Sequence, residues 1–272
     1  MTGILQDIIR CRIEDISDKK LSETELADRF CGRSDFRPFH EALCQSQRQP
    51  LNGSETGGRR AAVIAEIKRG SPSLGLFAPH LDLSEAAHDY ETAGAACLSV
   101  LTEPRYFHGS LNDLIAARGF CNIPVLQKDF IVSAVQIREA ALYADAILLI
   151  ARCLERQQLA DFYALAAEHR LDVLVEVFDE DDCEKIEGLH FPLIGINHRN
   201  LAAMTVDLDR SEKLAVRLEA DQTLVAASGI RSRNDVERMM NIGIRTFLVG
   251  ETLSRSANRI ETLKSLIGGD RC

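Results

Sequence analysis

Residues 144–150 read ADAILLI, a run of apolar side chains interrupted only by Asp145. It is far shorter than a membrane span and shows no helical spacing, so it predicts a strand buried on both faces. Such a strand belongs in a parallel sheet wrapped by helices. Runs of the same kind recur outward in both directions: Ala62–Ile67, Ala95–Leu101, Ile123–Gln127, Asp172–Val177, Phe191–Ile196, Thr223–Ala227 and Ile244–Val249, which with Ala144–Ile150 make eight. Amphipathic stretches such as Ser84–Ala93, Ala134–Tyr143, Glu155–His169 and Ser232–Ile242 separate them. Strand then helix, eight times over, predicts an α/β fold closed as a (β/α)8 TIM barrel. A last helix at Ala257–Leu266 completes the ring and Gly268-Gly269 ends it. The alternative is an open doubly wound sheet, but no G-x-G-x-x-G follows the first strand.

A chain of 272 residues, 46% hydrophobic, accommodates one such barrel. Residues 1–50 read as a helical extension packed on it, with Ile4, Leu5, Ile8, Ile9 and Ile13 on one face and a second helix starting near Ser22, where Glu25 completes a capping-box spacing. The polar, glycine-bearing segment Gln45–Arg60 reads as a loop, and residues 61–268 as the barrel of a single-domain protein. A formal net charge of -9 argues against nucleic acid or an anionic membrane as partner and leaves room for a local basic pocket. No apolar run approaches the roughly 18 residues of a membrane span and the N-terminus shows no signal-peptide core, so the expected location is the cytoplasm. The eight cysteines are scattered without C-x-x-C spacing, which predicts reduced, structural thiols and no metal site.

In a barrel, chemistry gathers where strands end at their carboxyl side. The stretch 61–73, AAVIAEIKRGSPS, delivers Glu66 and Lys68 two positions apart, on one face of a strand that then breaks into a turn. The corresponding positions elsewhere are Lys128 and Asp129, Glu176, Asn197 and Arg199, and Ser228. Two lysines and two glutamates at one mouth supply proton donors and acceptors, with Asn197 and Arg199 as anion partners. Asp129 falls out of phase with Lys128 and is expected to point from the lumen and brace its loop. Ala227-Ser228-Gly229-Ile230 and Val249-Gly250-Glu251-Thr252 follow strands 7 and 8, where barrels bind phosphate, so Ser228, Gly229, Gly250 and the nearby Ser73 are phosphate candidates. Tyr106, Phe107 and Phe130 lie in loops where an aromatic substrate would pack.

Several segments together resemble the indole-3-glycerol phosphate synthase family: ILQDII at 4–9, EIKRGSPS at 66–73, SVLTE at 99–103, QKDFIV at 127–132, ADAILLIA at 144–151, LVEVFDE at 174–180, IGINHRNL at 194–201, ASGI at 227–230 and FLVGETL at 247–253. The match is collinear over essentially the whole chain. The resemblance implies a cofactor-independent carboxy-lyase of tryptophan biosynthesis or of a specialised indole pathway. Its substrate would be a phosphosugar with an anthranilate moiety, 1-(2-carboxyphenylamino)-1-deoxyribulose 5-phosphate, cyclised with loss of CO2 and water. Lys128 would then be the general acid on the carbonyl, Lys68 would hold the anthranilate carboxylate, and Glu176 would be the base that helps expel the hydroxyl. Glu66 and Asn197 would orient lysines and substrate hydroxyls, Arg199 would act near the carboxylate, and Ser73, Gly229 and Gly250 would surround the phosphate. Contact with neighbouring tryptophan-pathway enzymes is left open. The chain departs from the family pattern at Ala227, where a glutamate is usual, at Glu251, where serine is usual, and at His198 and Phe178, which replace a common Asn and His. These departures keep open a second expectation, a non-catalytic or substrate-shifted paralogue that binds a sugar phosphate.

Overall fold

In the computed structural model, which describes residues 3–17, 33–50, 60–200, 203 and 205–268, eight parallel strands close into a ring. They are β1 (Ala62–Ile67), β2 (Cys97–Leu101), β3 (Val125–Lys128), β4 (Ala146–Ile150), β5 (Asp172–Val177), β6 (Leu193–Asn197), β7 (Thr223–Ala227) and β8 (Thr246–Val249). Each pairs with its neighbours in sequence, and β1 joins β8 in register from Ala62 opposite Thr246 to Ala65 opposite Val249. Closure leaves no sheet edge and excludes the open alternative. Several strands begin about two residues later than the apolar runs. At Ala144-Asp145 the reason is visible: Asp145 turns its carboxylate to the N–H of Val125 and builds the turn entering β4.

The helices are α1 (Ile4–Ser17), α2 (Phe39–Arg48), α3 (Leu83–Thr92), α4 (Leu111–Gly119), α5 (Ala134–Ala140), α6 (Arg156–Glu168), α7 (Glu180–Ile186), α8 (Asp209–Ala215), α9 (Arg233–Asn241), α10 (Glu251–Ser254) and α11 (Arg259–Ile267). Their starts follow capping chemistry. Asp82, Ser110, Ser133, Asp179, Ser232 and Asn258 each accept a hydrogen bond from an amide of the following first turn. Each cap contributes about 1 kcal/mol and fixes where a loop ends.

Two apolar layers result from the period-two alternation of the strands. On β1, Val63 and Ala65 face the helices, whereas Ala62 and Ile64 face the interior. Leu126, Leu174, Leu193, Val225 and Leu248 join the same interior cluster. Two positions beyond Ile64, Leu126, Leu174 and Leu248, the lumen phase arrives at Glu66, Lys128, Glu176 and Gly250; on β6 it runs from Leu193 through Gly195 to Asn197. The pleat therefore aims the strand-end residues inward.

The N-terminal segment covers both ends of the barrel. Phe39 and Leu43 of α2 are fully buried within the interior cluster and close the floor, each worth roughly 1.5–3 kcal/mol of apolar burial. His40 adds a 2.9 Å hydrogen bond between its Nε2 and Thr223 Oγ1, and its backbone N–H donates to Asp172. At the other end Leu5 and Ile8 of α1 roof the mouth. Two local expectations are corrected. Gln45–Arg48 belong to α2 and not to a loop, because Phe39 and Leu43 anchor the helix from its buried side. Ile13 is 52% exposed, since it lies about 80° around the helix from Leu5 at 100° per residue, while Arg12 takes the buried position. The helix expected near Ser22 lies outside the described residues.

Candidate active site

The mouth of the barrel opens into a cavity of about 1200 Å³ counted out to solvent. Glu66, Lys68, Ser73, Lys128, Glu176, Asn197, Arg199, Ser228, Gly229 and Gly250 all line it. Charge is concentrated on the β1, β3 and β5 wall. Lys68 Nζ donates to Glu66 Oε1 at 2.6 Å, and Lys128 Nζ stands 3.9 Å from Glu66 Oε2 and 3.9 Å from Glu176 Oε2. Glu176 Oε2 is buried and has no hydrogen-bond partner among the described residues.

Electrostatics fix two protonation states here. Burial would push the Glu66 carboxyl up, but Lys68 and Lys128 beside it outweigh that effect and hold it below the usual carboxylate range. Burial would pull the Lys128 ammonium down, yet Glu176 and Glu66 more than compensate, so its pKa rises above that of an ordinary lysine. At neutral pH Lys128 is therefore a proton-bearing cation between two carboxylates. An ammonium held this way can hand a proton to an oxygen placed in the cavity.

The β6, β7 and β8 wall is built differently. Asn197 Oδ1 accepts from the backbone N–H of Arg199 at 2.9 Å and so sets the turn from which Arg199 reaches into the cavity. Arg199 Nη2 meets Glu251 Oε2 at 3.1 Å, which neutralises the carboxylate that the loop after β8 brings to the mouth. Gly250 is required by its neighbour: a Cβ there would lie 2.2 Å from Glu66 Oε1. Ser228 and Gly229 both have positive φ, 69° and 81°, a strained conformation for serine. Buried His198 stabilises it, since its Nδ1 lies 2.9 Å from the Ser228 carbonyl oxygen and its Nε2 lies 2.6 Å from Ser211 Oγ. Burial lowers the His198 pKa, so the ring is neutral; Nδ1–H donates to the carbonyl and Nε2 accepts from the hydroxyl. The loops after β7 and β8 are tied together by Thr252 Oγ1, which donates to Ile230 O at 2.7 Å.

Asp129 braces its loop. It accepts from Phe130 N–H, Thr102 Oγ1 and Arg12 Nη2, the last at 2.9 Å, and thereby fastens α1 to the residue after Lys128. Phe107 and Phe130 pair at 5.9 Å between ring centroids on the cavity wall, while Tyr106 stands outside it. Sequence reasoning did not anticipate the roof residues Ile4, Leu5 and Ile8, nor Arg231 and Thr252. The apolar face of α1 was visible, but spacing alone does not say which end of the barrel it covers.

Fold and site together define a (β/α)8 enzyme of acid–base chemistry, with a lysine between carboxylates on one wall and two glycine-bearing loops on the other. More narrowly, the chain belongs to the indole-3-glycerol phosphate synthase family, whose model matches residues 5–266. It is 43% identical over 270 residues to the indole-3-glycerol phosphate synthase of Desulfosudis oleivorans, covering 98% of this chain and 99% of that one. The enzyme of the same name from Rhodospirillum rubrum is 44% identical over 273 residues, covering 98% and 100%. Among solved structures, thiamine phosphate pyrophosphorylase from Pyrococcus furiosus superposes with a TM-score of 0.54 at 12% identity, over 76% of this chain and 93% of that one, which is a likeness of fold alone.

Proposed function

We propose that the protein is an indole-3-glycerol phosphate synthase of tryptophan biosynthesis: a carboxy-lyase that closes 1-(2-carboxyphenylamino)-1-deoxyribulose 5-phosphate into the indole ring with loss of CO2 and water. The observation that carries the chemistry is Lys128, half-buried, protonated and 3.9 Å from each of two carboxylates. In the proposed course Lys128 donates its proton to the ketone oxygen as the ring carbon bearing the carboxylate attacks the ketone carbon. The new carbon–carbon bond forms and CO2 leaves from the same ring carbon; a C–H bond of the methylene next to nitrogen then breaks as the hydroxyl leaves, Glu176 taking that proton and passing it to the hydroxyl to make water, and Lys128 regains its proton from solvent. Lys68, held by Glu66, meets the ring carboxylate, and Glu66 keeps both ammonium groups in place.

Arg199 acts near the same carboxylate, with Asn197 fixing its backbone. Ser73, Ser228, Gly229 and Gly250 surround the phosphate, supported by their common place on the cavity wall and by the positive-φ turn at Ser228-Gly229. Residues 1–50 form an extension of a single domain whose barrel is 61–268, supported by the burial of Phe39 and Leu43 in the barrel floor. The six described cysteines are free thiols, which supports a reducing compartment, the cytoplasm. Among the described residues no helix is long and apolar enough to cross a membrane. A non-catalytic sugar-phosphate binder would have no need of a lysine charged between two buried carboxylates. The test is to mix purified protein with the carboxyphenylamino deoxyribulose phosphate and follow indole fluorescence. The proposal expects turnover without added metal or cofactor; binding without turnover by folded protein would overturn it.

A further inference from the structure

Arg199 and Glu251 are 52 positions apart and stand on strands that are not neighbours. Arg199 follows β6 and Glu251 follows β8, so their 3.1 Å contact passes over the end of β7. At the level of the rim β7 offers Ala227, paired with Asn197 on one side and with Leu248 on the other. Ala227 belongs to the lumen-facing layer, and its methyl group brings nothing polar to compete for the guanidinium.

Both ends of the bridge are anchored through their backbones. Asn197 Oδ1 holds the N–H of Arg199, and Arg199 forms an isolated bridge with Val206. Gly250, next to Glu251, is pressed against Glu66 with no room for a Cβ. What remains free is the long Arg199 side chain, which would lose several rotatable bonds of freedom on meeting a ligand. A carboxylate that holds it beforehand removes that loss. Both partners are largely withdrawn from solvent, with side-chain exposures of 22% and 29%, so the contact is screened less than a surface pair. Glu251 engages Nη2, and a guanidinium carries five N–H groups, so donors remain for an anion in the cavity.

We propose that Glu251 is a positioning residue: it holds Arg199 across the rim of β7 so that the guanidinium meets the ring carboxylate of the substrate, in place of any carboxylate that β7 could supply at Ala227. This rests on the substrate assigned under Proposed function. It also accounts for an acidic residue in a loop assigned to a phosphate, because Arg199 at 3.1 Å and the exposed Arg255 at 3.7 Å offset its charge.

The experiment measures kcat and KM, and the Kd of the same compound by calorimetry, for wild type, Glu251→Gln, Glu251→Asp, Arg199→Gln and the double variant Arg199→Gln/Glu251→Gln. The expected result is a KM and Kd raised roughly tenfold in Glu251→Gln, with kcat changed less than about twofold and a smaller rise in Glu251→Asp, which keeps the charge. In the Arg199→Gln background Glu251→Gln should add almost nothing, because the two act as one unit. Ala227→Glu combined with Glu251→Gln should recover part of the lost affinity. An unchanged or lowered Kd in folded Glu251→Gln, or full additivity with Arg199→Gln, overturns the proposal. Turnover by wild type judges the assigned reaction separately: a Kd that moves as expected without turnover overturns that reaction and leaves Glu251 in its role.

Discussion

At the floor of the barrel Asp145 Oδ1 accepts from Arg33 at 2.9 Å, Arg118 at 3.0 Å and the backbone N–H of Arg37 at 3.2 Å, while Oδ2 accepts from Val125 N–H at 3.0 Å. At the mouth Lys128 stands 3.9 Å from each of two carboxylates, and Glu176 Oε2 has no hydrogen-bond partner among the described residues. Both ends hold charge out of solvent, but both Asp145 oxygens accept hydrogen bonds whereas Glu176 Oε2 accepts none. A buried carboxylate bonded through both oxygens holds chain segments together; one held at a distance keeps capacity for a ligand. The contrast separates residues that serve stability from residues that serve chemistry, although both ends hold buried carboxylates among cations.

The largest way to break this comparison is at the floor. Asp145→Ala leaves Arg33 and Arg118 with only Asp35 and backbone carbonyls and frees Val125 N–H, so it should destabilise the protein by about 3 kcal/mol. Denaturant unfolding would register the loss, while kcat of the folded fraction should stay near wild type. A smaller effect is expected at His198, which lies on the mouth side but works like the floor. His198→Ala orphans the Ser228 carbonyl and Ser211, with a predicted loss of about 1–3 kcal/mol and a raised KM through the relaxed Ser228-Gly229 turn. A stable variant with unchanged KM would remove His198 from that role.

The smallest effect is in pH dependence. Lys128 has a folded pKa above its ordinary value, so its contribution to stability and to proton donation is complete below about 10.4 and is lost only as pH rises through the raised value. Glu66 is held low, so its contribution is complete above about 4.3 and is lost only as pH falls through the depressed value. Because Glu176 is the largest influence raising Lys128, Glu176→Gln should move the alkaline limb of residual activity, measured as kcat against pH, to lower pH. A limb that stays in place would contradict the coupling.

Most of the fold was legible because apolar runs such as ADAILLI announce strands that must be covered on both faces, and eight of them with helices between leave little choice of topology. Lumen phase was legible too: Ile64 to Glu66 and Leu126 to Lys128 follow from alternation alone. What sequence did not show depends on contacts between distant positions. Gln45–Arg48 look like a loop because their helicity comes from Phe39 and Leu43 sealing the floor. The short helices Glu180–Ile186 and Glu251–Ser254 went unread, the latter barely one turn and too short to show a period. Gly250 stood out as a strand-end glycine, but that a Cβ there would meet Glu66 is a contact between distant positions. Glu251 looked misplaced until Arg199 appeared opposite it.

The most direct test of the division between floor and mouth is Lys128→Met, assayed for indole formation and for melting temperature on the same preparation. The account predicts a rate lowered by at least about a hundredfold, as for loss of a general acid, with the melting temperature within about 4 °C of wild type. An unchanged rate, or a melting temperature that falls as far as that of Asp145→Ala, would contradict it.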